Sequence, residues 1–518
     1  MNATDRAIYG PSLYSATMAA ERDAVPLRHD MDVDVCVIGA GLAGLTTARE
    51  IARRGWSVIV VEAKRVAWNA SGRNTGFVLP GYAQSAAKIV DRIGPERARG
   101  LWALSRIGVD YVRATIVERA LNGVIEGHGW LAVSKIDDAA SVAAEAALLQ
   151  DILGENVELW PTEQVRAQLR TSRYYQALHF PDAFHIHPLN YALGLAAAAE
   201  EAGARIFEDT SAIAIDPAGV RKRIDTPRAR IRAAHVVLAG NVHLRGLMPT
   251  IARTLLPVTT YTIATAPLGE SLDQAITYRG AVSDTEWADS HYRVTPERRL
   301  IWCGRMTMWE ANPKRFARRL RAEMTRLYPQ LGKPEIEFAW NGTLGNTVHR
   351  MPQIGEVSPG LWLASGFGGH GLNTTAVAGV LIAGAIVEGD DTWQAFRPYD
   401  LVWAGGVLGR SFVQGAYWAS RMREGIAAWS SRRKEARALK QHTEGANAAS
   451  GIGAAPMAAE PIVPPPAAPS GLPADGADGP SEVPEVTAAA PSILPESAAE
   501  PDRSAERPSK ARRKARGA

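Results

Sequence analysis

Two hydrophobic rhythms alternate along this chain. From Asp32 a strand-like run, Val33–Ile38, gives way to apolar positions at helical spacing across Leu42–Arg54. Gly55 stops the helix, and a second strand-like run, Ser57–Glu62, follows. The order predicts a βαβ unit. Helical patterns cover Ala86–Asn122 and Ala139–Leu153, with a strand pattern at Gly129–Ser134 between them. Pro188 stands in the first turn of a further helix, Leu189–Ala202, where a proline is well placed. Strand patterns recur at Ala204–Phe207, Ile213–Asp216, Ile231–Ala233 and His235–Leu238, and a strand-rich region runs from Thr254 to Arg305. A basic amphipathic helix is predicted over Pro313–Leu327, an apolar one over Leu372–Glu388, and a last amphipathic one over Ser411–Trp429. From about Thr443 the chain is rich in Ala, Pro, Ser, Gly and acidic residues. Such a segment buries too little apolar surface to offset its ordering entropy, so residues 443–518 are expected to be disordered.

A chain of 518 residues has room for two or three domains, and 46% hydrophobic with 22% charged residues suits a globular enzyme. The net charge of +4 is too small to argue for a specific nucleic-acid partner, despite the basic end Ser509–Arg516. Two cysteines, Cys36 and Cys303, exclude a disulfide framework and favour a reducing compartment. Residues 1–30 form an arm without the apolar core of a signal peptide. The longest apolar run, Ala376–Val387, is shorter than a bilayer span. A soluble cytoplasmic protein without a membrane span is expected.

Glycines carry the chemistry. In the turn after the first strand, Gly39 allows the tight bend, Gly41 admits a pyrophosphate close to the backbone, and Gly44 lets helix and strand pack closely. Glu62 closes the second strand, about 20 residues on, where a carboxylate accepts ribose hydroxyls. Strand, turn, helix, strand and acid together predict dinucleotide binding. A second cluster, Gly366-Phe367-Gly368-Gly369-His370-Gly371, also leads from a strand pattern into a helix. Two such turns suit a long ligand, FAD. The small, hydroxyl-bearing stretch Ala70–Gly76 agrees, since a plain NAD domain has no need of it.

With these pieces the sequence resembles the FAD-dependent amine and amino-acid oxidases of the D-amino-acid oxidase and sarcosine oxidase type, and among them the γ-glutamylputrescine oxidases. The resemblance rests on Asp34–Gly44, Ala70–Asn74, His185–Asn190, Val236–Asn241, Arg350–Gly355 and Gly366–Gly371, in family order over roughly residues 10–420. It implies an α/β fold: a Rossmann-type FAD domain from about 31–110, 185–255 and 340–390. An inserted, mostly antiparallel substrate domain would come from 111–184 and 256–339, together making an oxidoreductase of residues 31–395. A helical extension over 396–442 and the tail would follow. It also implies roles. Glu62 would hold the adenosine ribose, and Ser71, Gly72 and Arg73 would lie near the diphosphate, flavin or substrate. The Ile213 backbone would meet adenine, Gly240 the cofactor, and Gly368, Gly369, His370, Gly371 and Leu372 the underside of the flavin.

The activity so implied is oxidation of a C–N bond in a γ-glutamylputrescine-like amine or an amino acid. Hydride passes to flavin N5, and the imine is then hydrolysed. His370 reads equally as a flavin or substrate contact and as a residue holding the turn. Arg305 is a candidate grip for a substrate carboxylate, with Tyr292 and Arg73 behind it. His185 and His187 invite a metal reading, but no neighbouring residues complete a ligand set, so no metal is expected. Leu300–Gly304 lacks the lysine that sarcosine-oxidase-like members use to activate oxygen, which leaves oxygen and other electron acceptors both open. Trp340–Pro352 lacks the cysteine that tethers FAD in some members, so dissociable FAD is expected. Two alternatives stand beside the oxidase: a dehydrogenase of D-amino or N-methyl amino acids using another acceptor, and a flavoprotein tethered to an acidic partner by its basic tail.

Overall fold

The structure, a computed structural model, describes residues 9–19, 22–284, 290–423, 426, 430 and 433; the tail expected to be disordered lies outside them. The first sheet runs in the order 353–358, 361–365, 230–238, 31–38, 58–61, 205–207. Its core is parallel: Met31–Ile38 lies between Arg230–Leu238 and Val58–Val61, while Gln353–Ser358 pairs antiparallel at the edge and Lys222–Asp225, with Ala214–Asp216 beyond it, pairs antiparallel with the start of Arg230–Leu238. Val35, Cys36 and Val37 are wholly buried because both faces of a parallel sheet are covered. On one face Leu42–Arg53 packs against the apolar helix Gly371–Glu388. Gly379 makes that crossing possible, since a Cβ there would sit 2.5 Å from Thr46 Cβ. Gly371–Glu388 is the one helix among the described residues long and apolar enough to cross a membrane, and 72% of it is buried inside the protein.

The second sheet is mostly antiparallel, in the order 336–346, 256–265, 300–307, 291–294, 281–284, 125–133, 177–186, 77–78. Its one parallel pairing joins Ala281–Asp284 to Ile125–Val133. Ile336–Asn346 pairs along its whole length with Leu256–Thr265, so residues 340–346 belong to this sheet and not, as the sequence suggested, to the nucleotide-binding one. The helical pattern of 86–122 is two helices, Ala86–Ile93 and Pro95–Glu118, broken by Gly94 at φ +81° with Pro95 starting the second.

The N-terminal arm is docked along residues 9–19 and 22–27. Tyr14 is buried edge-on to His187 and Trp340. Ala19 N donates to Asn190 Oδ1 at 2.9 Å, Arg22 pairs with Glu200 and Glu208, and Leu27 N donates to Thr210 Oγ1 at 3.0 Å.

Candidate active site

The carboxyl ends of three parallel strands meet at the glycine turns. Gly39 has φ +110°, and a Cβ on it would stand 3.0 Å from Ala239 C and Gly240 N. The turns after 31–38 and 230–238 therefore touch. Asn241, at φ +49°, extends the contact to the second cluster: its Oδ1 accepts from Ser365 Oγ at 3.2 Å and Gly366 N at 3.4 Å. Gly368, at φ +58°, donates its N–H to Gly345 O at 3.1 Å and closes the turn against the strand 336–346. Asn241 ends the motif Val236–Asn241, and the structure makes it the link between the two clusters.

Two helix N-termini open beside these turns. Gly41 caps Leu42–Arg53 and His370 caps Gly371–Glu388, neither with a side-chain hydrogen bond. Each leaves backbone donors and the positive end of a helix dipole facing outward. A Cβ built on Gly369 or Gly371 meets nothing within 4 Å, so the second turn faces open space. Ser71 Oγ accepts from Leu42 N at 3.2 Å, which brings the helix 70–73 over the first turn. Glu62 Oε2 accepts from Ala40 N and Oε1 from Lys64 N, both at 2.9 Å. Burial raises the Glu62 carboxyl above its ordinary value, and these backbone donors oppose the shift. Donors at two helix ends, a carboxylate at the strand end and open space between the clusters form the cradle that a diphosphate joining two nucleoside-like ends requires. The residues fit FAD.

Arg73 lies at the edge of this cradle. It donates to Tyr9 O, its own carbonyl accepts from Trp340 Nε1 at 2.9 Å, and its buried Nε has no hydrogen-bond partner. Burial pulls its pKa down. Ile213 does not fit its expected part so well: its N–H donates to Asp225 O at 2.9 Å, so that amide is already engaged and not available to adenine.

His370 is half-buried at the mouth of the second turn. Burial, with Arg350 and His291 nearby, lowers its pKa to about 4, so it is a neutral imidazole at physiological pH. His291 is also held toward the neutral form by burial, with Nδ1 2.8 Å from Ser283 Oγ. Trp130 Nε1 donates to the same hydroxyl at 3.0 Å.

Two of the expected substrate contacts, Tyr292 and Arg305, are engaged within the protein. Tyr292 is wholly buried in the core of the second sheet, stacked on Trp302 at 4.5 Å with its hydroxyl 2.6 Å from that of Tyr328. Successive strand residues point to opposite faces, so within His291–Val294 it is His291 and Arg293 that leave this core. Arg305 pairs with Glu323 on the basic helix Lys314–Leu327, and Arg421 reaches the same carboxylate at 2.8 Å. Its charge is answered inside the protein.

A buried polar assembly around Arg293 was not anticipated. Arg293, 1% exposed, donates through Nε to Thr75 O at 2.7 Å and through Nη2 to Ile186 O at 3.1 Å and Tyr14 Oη at 3.3 Å. Its Nη1 pairs with Glu126 and reaches His185 Nδ1 at 3.2 Å. His185 Nε2 meets Arg279 O at 2.9 Å, and His187 lies between Asn190 N at 3.1 Å and Thr17 Oγ1 at 3.0 Å. Both histidines thus commit both ring nitrogens within the protein. Burial lowers both, His187 to about 3.

Two glycine turns joined at the ends of parallel strands, with a second sheet beside them, define a flavoprotein fold. The chain belongs to the FAD dependent oxidoreductase family, whose profile matches residues 34–385. It is 29% identical to the gamma-glutamylputrescine oxidoreductase of Escherichia coli over 425 residues, covering 80% of this chain and 99% of that protein. It is also 29% identical to a probable oxidoreductase of Haemophilus influenzae over 380 residues, 72% of this chain and 87% of that one. Its fold matches glycine oxidase from Geobacillus kaustophilus with a TM-score of 0.60 at 20% identity, over 72% of this chain and 98% of the other. L-proline dehydrogenase from P. horikoshii matches equally well, at 0.60 and 20%, over 71% and 98%. The protein is an FAD-dependent oxidoreductase.

Proposed function

We propose that this enzyme oxidises the C–N bond of an extended amine of the γ-glutamylputrescine kind, in the cytoplasm, with dissociable FAD. The observation that carries the reading is the open space before Gly369 and Gly371, bounded by an uncapped helix N-terminus and the neutral His370. The near full-length match to the Escherichia coli relative supports the substrate class.

FAD, when bound, supplies the acceptor for a hydride from the carbon that carries nitrogen. The chain's part is to hold and polarise. Gly39, Gly41 and the first turn of Leu42–Arg53 would take the diphosphate, Glu62 a ribose, and the N–H groups of Gly371 and Leu372 the negative charge that grows on the ring. His370, being uncharged, adds no repulsion against a cationic amine entering the site. Hydride leaves only from a neutral amine, and with a lysine-like amine deprotonation at pH 7 costs roughly 4–5 kcal/mol. An apolar surrounding lowers that cost by disfavouring the cation.

A pH dependence follows. His370 stays neutral above about pH 4 and so contributes no titration between pH 6 and 9. The rate of anaerobic flavin reduction at subsaturating amine is expected to rise about tenfold per pH unit below the amine's pKa. His370→Gln should keep that slope while lowering the rate. A slope that vanishes in the variant would make His370 the titrating group and sink this assignment.

The direct test follows the flavin spectrum anaerobically as γ-glutamylputrescine is added. Bleaching within seconds is expected, and acid precipitation should leave the yellow colour in the supernatant. Bands that persist with this amine but bleach with D-amino or N-methyl amino acids would replace the substrate. The strand Leu300–Thr307 carries no lysine, which favours an acceptor other than oxygen. Slow reoxidation in air with fast dye reduction would agree.

A further inference from the structure

Beyond Tyr399 the chain leaves an apolar surface uncovered. Leu401, Val402 and Trp403 are exposed, and the helix 406–423 that follows presents its apolar side outward. Its polar side faces the protein, where Tyr417 Oη accepts from Met306 N at 3.2 Å and Gln414 Oε1 accepts from Met308 N at 3.0 Å. Val407, Leu408, Phe412, Trp418 and Met422 face solvent, the first three each at least 75% exposed. Exposed Trp309 follows Met308, and exposed Val348 precedes His349, whose Nε2 lies 3.1 Å from Asp400 O. Two residues before Val348 in the chain, Asn346 packs against Gly368. The patch thus begins one loop from the flavin cradle.

Its composition selects the partner. The helix 406–423 carries Arg410, Arg421 and Arg423 and no acidic residue. Arg421 turns inward to Glu323, while Arg423 is exposed beside the apolar stripe. In sequence, residues 424–440 add Arg432, Arg433, Lys434, Arg437 and Lys440 against Glu424 and Glu435. A second copy packed face to face would set arginine against arginine with no carboxylate on the helix to answer it. A bilayer rich in anionic lipid answers both features: apolar side chains enter the acyl boundary, tryptophans sit at headgroup level, and the basic residues meet lipid phosphates. We propose that the helix 406–423, with Trp403 and Trp309, is an in-plane docking surface for an anionic lipid bilayer, binding without spanning it.

The test is flotation of the full-length FAD-loaded protein with vesicles of phosphatidylcholine alone or mixed with phosphatidylglycerol. Binding to the mixed vesicles is expected, at least tenfold weaker on the neutral ones and weakened again in about 0.5 M salt. Leu408→Glu with Phe412→Glu and Trp418→Glu should lose binding at least tenfold while flavin spectrum and turnover stay unchanged, since these side chains face solvent. Glutamate at Arg512, Arg513 and Lys514 should leave binding within about twofold of the original. Failure to float, or flotation abolished by the tail variant but not by the helix variant, would overturn the proposal. So would a concentration-dependent dimer in sedimentation that the helix variant dissolves, which would give the face to a second copy.

Discussion

Arg293→Met is expected to destabilise the protein by about 3–5 kcal/mol in urea unfolding, the cost of breaking a buried ion pair by removing one partner. The arginine is 1% exposed and joins three parts of the chain that are far apart in sequence: Tyr14 of the arm, Thr75 O beside the cofactor loop, and Ile186 O with Glu126 in the second sheet. Methionine fills much of the volume but leaves Glu126 without its cation and three oxygens without their donor. The double variant Arg293→Met with Glu126→Leu should recover a large part of the loss, because it removes the buried charge and not just its partner. Arg299→Met supplies the contrast. Its pair with Glu337 is 41% exposed on the acidic side, and an exposed pair contributes about 0–1 kcal/mol. A loss below about 1 kcal/mol for Arg293→Met, or a double variant weaker than the single, would mean that the cluster is not what joins these segments.

The parts of the fold legible in sequence were those where local pattern and burial agree. The apolar runs of 33–38 and 57–62 mark strands covered on both faces, and the glycines between them have a turn to make, so strand, turn and helix were placed within a residue or two. Likewise Gly371–Glu388 begins one residue before its expected start. Long-range pairing was not legible. Arg305 looks like a free cation until Glu323 is folded against it, and the polar arm looks unconstrained until Tyr14 finds Trp340 and His187. Tyr292 failed for a narrower reason. In His-Tyr-Arg-Val every side chain has both apolar and polar character or lies next to one that does, so alternation did not fix the face. A shift of one residue exchanges the core for the site. Gly94-Pro95 did carry a readable signal, a helix stop followed by a helix start, and it divides what looked like one helix into two.

Gly44→Ala is expected to weaken FAD binding at least 100-fold, about 2.7 kcal/mol. The added Cβ would lie 2.0 Å from Gly39 O and 3.1 Å from Val37 Cγ1. Backbone at that distance cannot yield as a flexible side chain does, so the helix 42–53 must back away from its strand. It has little freedom to do so, because Gly379 already holds the neighbouring helix against Thr46. The displacement therefore falls on the N-terminal turn, the part that offers donors to the diphosphate. Each hydrogen bond to a charged group contributes about 1.5–3 kcal/mol, and misaligning two of them accounts for the expected loss. Gly100→Ala is the matched comparison: its Cβ meets nothing within 4 Å in the second turn of the helix Pro95–Glu118. It should leave FAD affinity unchanged and raise stability by up to about 1 kcal/mol through helix propensity. Titrating both apoproteins with FAD by fluorescence quenching, with circular dichroism to verify the fold, decides the matter. A folded Gly44→Ala protein that binds FAD as tightly as the original would show that this helix end does not bear the diphosphate, and the cofactor would have to be placed elsewhere in the fold.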